Sequence, residues 1–186
     1  MDYDSFLELA KARRSIRRFK SDPISDEYVD KIVEAARWAP SGFNSQPWEF
    51  VVVKDKKLKD TIVKWVDRGH AANADMEATR EPWQKQKPHP SRDAEMDYRN
   101  APVFIILMGD TRTQLGLPMV VRYDNYRRQV TFISSLASAI LYMHLAATTL
   151  GLGSQWVSGI AEPYSCLLYT SPSPRDLSTS RMPSSA

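Results

Sequence analysis

Residues 36–54 read ARWAPSGFNSQPWEFVVVK, and the rest of the chain is parsed from them. An apolar helix face runs into Pro40, a cluster of hydroxyl and amide side chains, Pro47 and Trp48, and then directly into a strand. A plain helix-to-strand connection needs about two to six residues with one cap and one glycine. This one is longer and stiffer. Pro40 and Pro47 fix its ends, so Ser41, Asn44, Ser45 and Gln46 sit on a rigid segment. As a structural turn, these side chains would cap their own backbone. As a binding corner, they would offer preorganised donors and acceptors to a heteroaromatic ring with alternating carbonyl and N–H groups.

Length and composition set the frame. The chain has 186 residues, 42% apolar and 25% charged, the profile of one soluble globular domain with a sizeable core. The reading along the chain finds no transmembrane helix. The N-terminus, MDYDSFLELAKARR, puts acids first and lacks the apolar stretch of a secretory leader, so the expected location is cytoplasmic.

The last residues differ in kind. CLLYTSPSPRDLSTSRMPSSA, residues 166–186, holds six serines and three prolines without periodicity. Cys166 to Asp176 can be encoded by codons that resemble the end of a transposon-type sequencing adapter, and Ser180 to Ala186 by codons that resemble its flow-cell end. Residues 166–186 therefore read as a non-native, disordered read-through tail after a domain spanning 1–165 that is incomplete at its C-terminus. Without the tail the chain has no cysteine, which removes disulfides, thiolate catalysis and cysteine-ligated metal. Without Arg175, Asp176 and Arg181 the formal charge falls from +3 to +2, too little to imply a nucleic-acid partner.

The pattern predicts a short helix over 4–12 carrying Phe6, Leu7, Leu9 and Ala10. A second helix should follow an N-cap at Ser25, with Val29, Ile32, Val33 and Ala36 as its apolar stripe. Strands are expected at 49–53 and 103–110, and a third at 154–160, SQWVSGI. Leu58, Ile62, Val63 and Val66 mark another helix, and polar residues 69–101 read as a lid or surface excursion. RQVTFISSLASAILYMHLAATTL, 128–150, is apolar on nearly all sides and reads as a long helix, buried centrally or pressed against another helix. The class is α+β, a mixed central sheet flanked by helices.

No HExxH, GxSxG, P-loop or GxGxxG motif is present, and no metal site is expected. His144 reads as a partnered core histidine. ARRSIRRFK, 12–20, sets four arginines around Ser15. It fits a solvated basic face or nucleic-acid patch, and equally an anion clamp, because guanidinium forks match phosphate oxygens.

Taken together, RRSIRRF, AARWAPSGFNSQPWEFVVV, APVFIILMGD and SLASAILYMHLAATTLGLGSQWVSGI resemble the flavin-dependent nitroreductase family over residues 5 to about 163. The resemblance implies the nitroreductase-like fold and a homodimer with FMN at the subunit interface. By motif, Arg13, Arg14 and Ser15 would hold the FMN phosphate, and Arg17 would sit near the N1/O2 edge, where a cation tunes the potential. Pro40, Ser41, Asn44 and Gln46 would line the same flavin from the other subunit. Trp156, Val157, Ser158 and Gly159 would border it, with the backbone of Ser158 and Gly159 near N5. No side chain is expected to act as acid or base.

The implied function is an FMN-dependent oxidoreductase that uses NAD(P)H to reduce nitroaromatic, quinone or related acceptors by a ping-pong hydride mechanism, with no nucleic-acid or membrane partner. The alternatives are a flavin-binding protein without turnover and a basic nucleic-acid-binding module through residues 11–20. The 128–150 helix, with its Ser134, Ser135, Ala137, Ser138 and Ala139 cluster, is expected to form much of the dimer interface.

Overall fold

The computed structural model describes residues 2–81, 83 and 98–157. Helix α1 spans Tyr3–Ala12, with Asp2 accepting the Ser5 N–H as its cap. Helix α2 spans Asp26–Arg37, and its Ser25 hydroxyl accepts the Tyr28 N–H. Strand β1 (Trp48–Val53), helix α3 (Lys56–Ala78) and strand β2 (Phe104–Gly109) follow. The short α4 (Met119–Arg122) then leads into α5 (Asn125–Thr149).

The two strands pair antiparallel, with Trp48 opposite Gly109 and Val53 opposite Phe104. Period-two alternation splits their side chains into two cores. Trp48, Phe50, Val52, Ile105 and Leu107 pack towards Val33 and Ala36 of α2 and Ala139 of α5. Val51, Val53, Phe104 and Ile106 pack towards Ile62, Val63 and Val66 of α3. Helices on both faces explain why FVVV, residues 50–53, reads as an uninterrupted apolar run. Val29, Ile32, Val33 and Ala36 are all buried, as their spacing predicts. Fully burying each of the three larger side chains contributes about 1.5–3 kcal/mol.

Some expectations change. Residues 69–78 are not an excursion, because α3 runs through them to Ala78. Of the third strand expected at 154–160, residues 158–160 lie outside the described residues, and 154–157 form no strand. Ser154 forms one parallel bridge with Ser15, in which the Ile16 N–H donates to the Ser154 carbonyl at 3.0 Å. The described sheet has two antiparallel strands, and with the helices around it the chain has the expected α+β class.

Helix α5 is central in its contacts but buries one side only. Ser135, Ala139 and Ala147 are its buried residues, at four- and eight-residue intervals that place them in one seam facing α2 and the sheet. Ser135 and Ala139 of the small-residue cluster thus serve packing within the chain. Tyr126, Val130, Ile133 and Leu141 stay exposed on another side. That apolar surface also gives α5 the length and composition of a membrane-crossing helix, with mean hydropathy 1.6 and 17% of the window buried. The expectation that no segment meets that test is corrected accordingly. The tail and residues 158–165 lie outside the described residues.

Candidate functional site

Two clusters of predicted site residues flank α5. The first begins where α1 stops. Arg13 is its C-cap, and Arg14 turns back over the helix end, its guanidinium donating to the carbonyls of Lys11 and Arg13. This is a favourable end for a cation. Extended backbone then carries Ser15 into its bridge with Ser154. Gly153 permits that approach, since a Cβ there would sit 3.0 Å from Ile16 Cγ2. Arg14, Ser15 and Arg17 remain exposed. The clamp, Ser154, Trp156 and Val157 are thereby gathered in one region, and Ser158 and Gly159 lie outside the described residues.

His144 of α5 anchors this cluster. Its Nδ1 lies 2.6 Å from Ser154 Oγ. Burial holds the imidazole below its ordinary pKa, and the nearby Arg13 cation lowers it further. It is a partnered histidine, as expected, but its partner belongs to the segment beside the arginines. GLGS was the available signal: the glycine marks a close backbone approach, although it does not name the histidine.

Beside these residues lies a cavity of about 400 Å³, lined by Val29, Ile32, Ile105, Leu107, His144 and Val157 among others. Gln155 also lines it, and its buried Oε1 has no hydrogen-bond partner among the described residues.

The second cluster is the corner. Gly42–Asn44 forms a single 3-10 turn. Phe43, Asn44 and Gln46 all have positive φ, at 56°, 51° and 42°. Such strain in non-glycine residues concentrates at functional sites and persists only when the surroundings impose it. Here Ser41 Oγ accepts the Gln46 N–H at 3.0 Å, and Gln46 Nε2 donates to Asn44 Oδ1 at 3.0 Å. Ser41 thus caps the corner's own backbone, as the structural-turn reading expects, and Asn44 and Gln46 bond to each other. The Gly42 N–H donates to Ser135 Oγ at 3.1 Å, fastening the corner to α5.

Within one chain the clusters do not meet. Ser135 holds one and His144 the other, nine residues apart on α5, or about 14 Å of helical rise.

The residues present fit a phosphate-bearing planar cofactor. Cationic forks stand near the C-terminal end of α5, a strained amide corner beside its middle at Ser135, and an unpartnered buried oxygen near the arginines. Among the described residues no group of three or more His, Cys, Asp or Glu is placed to hold a metal ion.

A family model described as "Nitroreductase family" matches residues 10–169. The chain is similar to 5,6-dimethylbenzimidazole synthase of Rhodospirillum rubrum, with 32% identity over 162 residues, covering 83% of this chain and 69% of that protein. It is 41% identical over 73 residues to iodotyrosine deiodinase 1 of Rattus norvegicus, covering 39% of this chain and only 26% of that protein. Among solved structures it resembles a nitroreductase with bound FMN from Bacteroides fragilis, with TM-score 0.62, 22% identity, and coverage of 92% of this chain and 81% of that one. At that identity the likeness concerns the fold.

Proposed function

This chain belongs to the nitroreductase family, and from that premise we propose that it is an FMN-dependent oxidoreductase, cytoplasmic and homodimeric, using NAD(P)H to reduce nitroaromatic, quinone or related acceptors in a ping-pong cycle. One observation carries the reading. The phosphate-clamp residues and the strained amide corner sit at separate stations on α5, beside its exposed apolar residues. A second copy laid against that surface would set one chain's corner opposite the other's clamp.

FMN, when bound, would accept hydride from NAD(P)H and pass electrons to the acceptor. The protein's part is binding, positioning and electrostatics. Arg13, Arg14 and Ser15 would hold the phosphate through charge-assisted hydrogen bonds. Arg17 would stabilise negative charge at the N1/O2 edge. Pro40, Ser41, Asn44 and Gln46 of the second copy would fix the ring, with Trp156, Val157, Ser158 and Gly159 on the clamp side. The bridge between Ser15 and Ser154 links the phosphate clamp to that segment, so both would position the cofactor as one unit.

The test is spectroscopic. Purified protein incubated with FMN should retain a flavin absorbance band through desalting, and anaerobic NADPH should bleach it. Retention without bleaching by NADPH or NADH would leave a flavin-binding protein without turnover. Absence of retained flavin, with salt-dependent binding to bulk DNA, would favour the nucleic-acid module. The synthase likeness across most of the chain supports a second reading in which 5,6-dimethylbenzimidazole is the product, and mass spectrometry of the reaction mixture distinguishes it.

A further inference from the structure

Within the corner, one residue's conformation and surroundings disagree. Phe43 has φ 56° and ψ 26°, the left-handed region in which a bulky side chain crowds its own backbone. A connection that only had to turn would place glycine or asparagine there. The flanks impose the conformation. Gly42 is fastened to Ser135 Oγ at 3.1 Å and lies against Thr131 with no room for a Cβ. The Asn44 N–H donates to the Ser41 carbonyl at 3.0 Å. Between these pins the ring stays 60% exposed, so packing within the chain does little to offset the strain. Trp38 is more exposed, at 67%, but its backbone is ordinary and its indole N–H donates to Glu34 at 2.9 Å. Phe43 has no polar handle. It offers a rigid aromatic face, set between Ser41 and Asn44.

We propose that the Phe43 ring is a stacking wall of the acceptor site, favouring planar aromatic acceptors over saturated ones of the same size. This rests on the reading above, in which Ser41 and Asn44 border the cofactor ring. Aromatic pairs stack with a preference of about two- to tenfold in affinity beyond the area they bury. A wall already pinned in place loses little conformational freedom when the acceptor arrives.

The test uses the FMN-loaded protein and two non-reducible probes of matched size, benzamide and cyclohexanecarboxamide, titrated by calorimetry. Wild type should bind benzamide about three- to tenfold more tightly. Phe43→Ala should bring the two affinities within about twofold, and Phe43→Tyr should keep the preference. A Phe43→Ala protein that retains the preference, or a wild type without one, overturns the proposal. So does a Phe43→Ala protein that loses FMN or its dimer, since the ring would then be a cofactor or subunit contact. A wild type that takes up no FMN overturns the underlying reading as well, and the missing flavin absorbance identifies that case.

Discussion

His144 Nδ1 lies 2.6 Å from Ser154 Oγ, and through this contact α5 holds the segment bridged to the arginine clamp. Burial, and then Arg13, keep this imidazole below its ordinary pKa. The unfolded chain therefore takes up a proton near pH 6.5 that the folded chain refuses. Its contribution to stability is complete above about pH 6.5 and falls as pH drops through that value towards the lowered one. Wild type should lose more melting temperature between pH 7.5 and 5.5 than His144→Gln, which keeps a hydrogen-bonding side chain but does not titrate. Equal losses in the two proteins would show that His144 is not the group responsible.

The arginines should divide their work. Arg14→Ala would remove the proposed phosphate contact, each charge-assisted hydrogen bond contributing about 1.5–3 kcal/mol, so FMN should bind roughly ten- to a hundredfold more weakly. It also removes the guanidinium that donates to carbonyls at the end of α1. Arg17→Ala should instead shift the flavin midpoint potential more than the occupancy. Fluorescence titration and anaerobic potentiometry measure the two effects. Equal loss of FMN with unchanged potential would refute the division.

Tyr98 is buried, and its hydroxyl donates to Asp67 Oδ1 at 2.8 Å, while Arg99 donates to the other carboxylate oxygen at 3.0 Å. Burial first, and then Asp67, push the phenol up to about 12. With an unfolded value near 10, its contribution is full below pH 10 and lost as pH rises towards 12. Tyr98→Phe should cost about 1 kcal/mol at pH 8 in urea unfolding and should show a smaller alkaline loss than wild type.

Which parts of this were legible in the sequence follows from what each signal encodes. Ser25 and the stripe from Val29 to Ala36 specify α2, because capping and 3.6-residue spacing are local. The corner's rigidity was legible from Pro40 and Pro47. Its left-handed Phe43 was not, because the Gly42–Ser135 contact that pins it spans 93 positions. SQWVSGI has strand composition; of its described residues, 154–157, Ser154 pairs with Ser15 in a bridge, a partner that composition does not specify. The apolar all-round pattern of α5 marked a helix in contact with others, and within the chain it buries one side. It did not say which side packs within the chain: Ser135 and Ala139 are buried there, whereas Ser134 is exposed.

Ala139 makes that inward seam testable. It is fully buried in the cluster that also holds Ala36, Trp48 and Phe50. Ala139→Leu adds volume where α2 and α5 meet and should cost about 1–3 kcal/mol, read from thermal or urea unfolding. A change under about 0.5 kcal/mol would mean that the seam is looser than its burial implies.

Ala137 should behave differently, because two positions along a helix turns the side chain to the opposite side. Tyr126, Val130, Ile133, Ala137 and Leu141 recur at intervals of three and four, a single stripe. Its four large members are exposed by 76%, 62%, 49% and 47% for Tyr126, Ile133, Leu141 and Val130 respectively. The stripe borders the stations of the corner and the clamp, so covering it with a second copy would complete two shared sites at once. Ala137→Arg places a charge at its centre. It should leave the inward seam and the fold intact, as judged by circular dichroism, while converting the dimer to a monomer by light scattering and abolishing FMN retention in the same preparation. A folded Ala137→Arg monomer that still binds FMN tightly would refute the interfacial site, and a variant that remains a dimer would move the interface elsewhere.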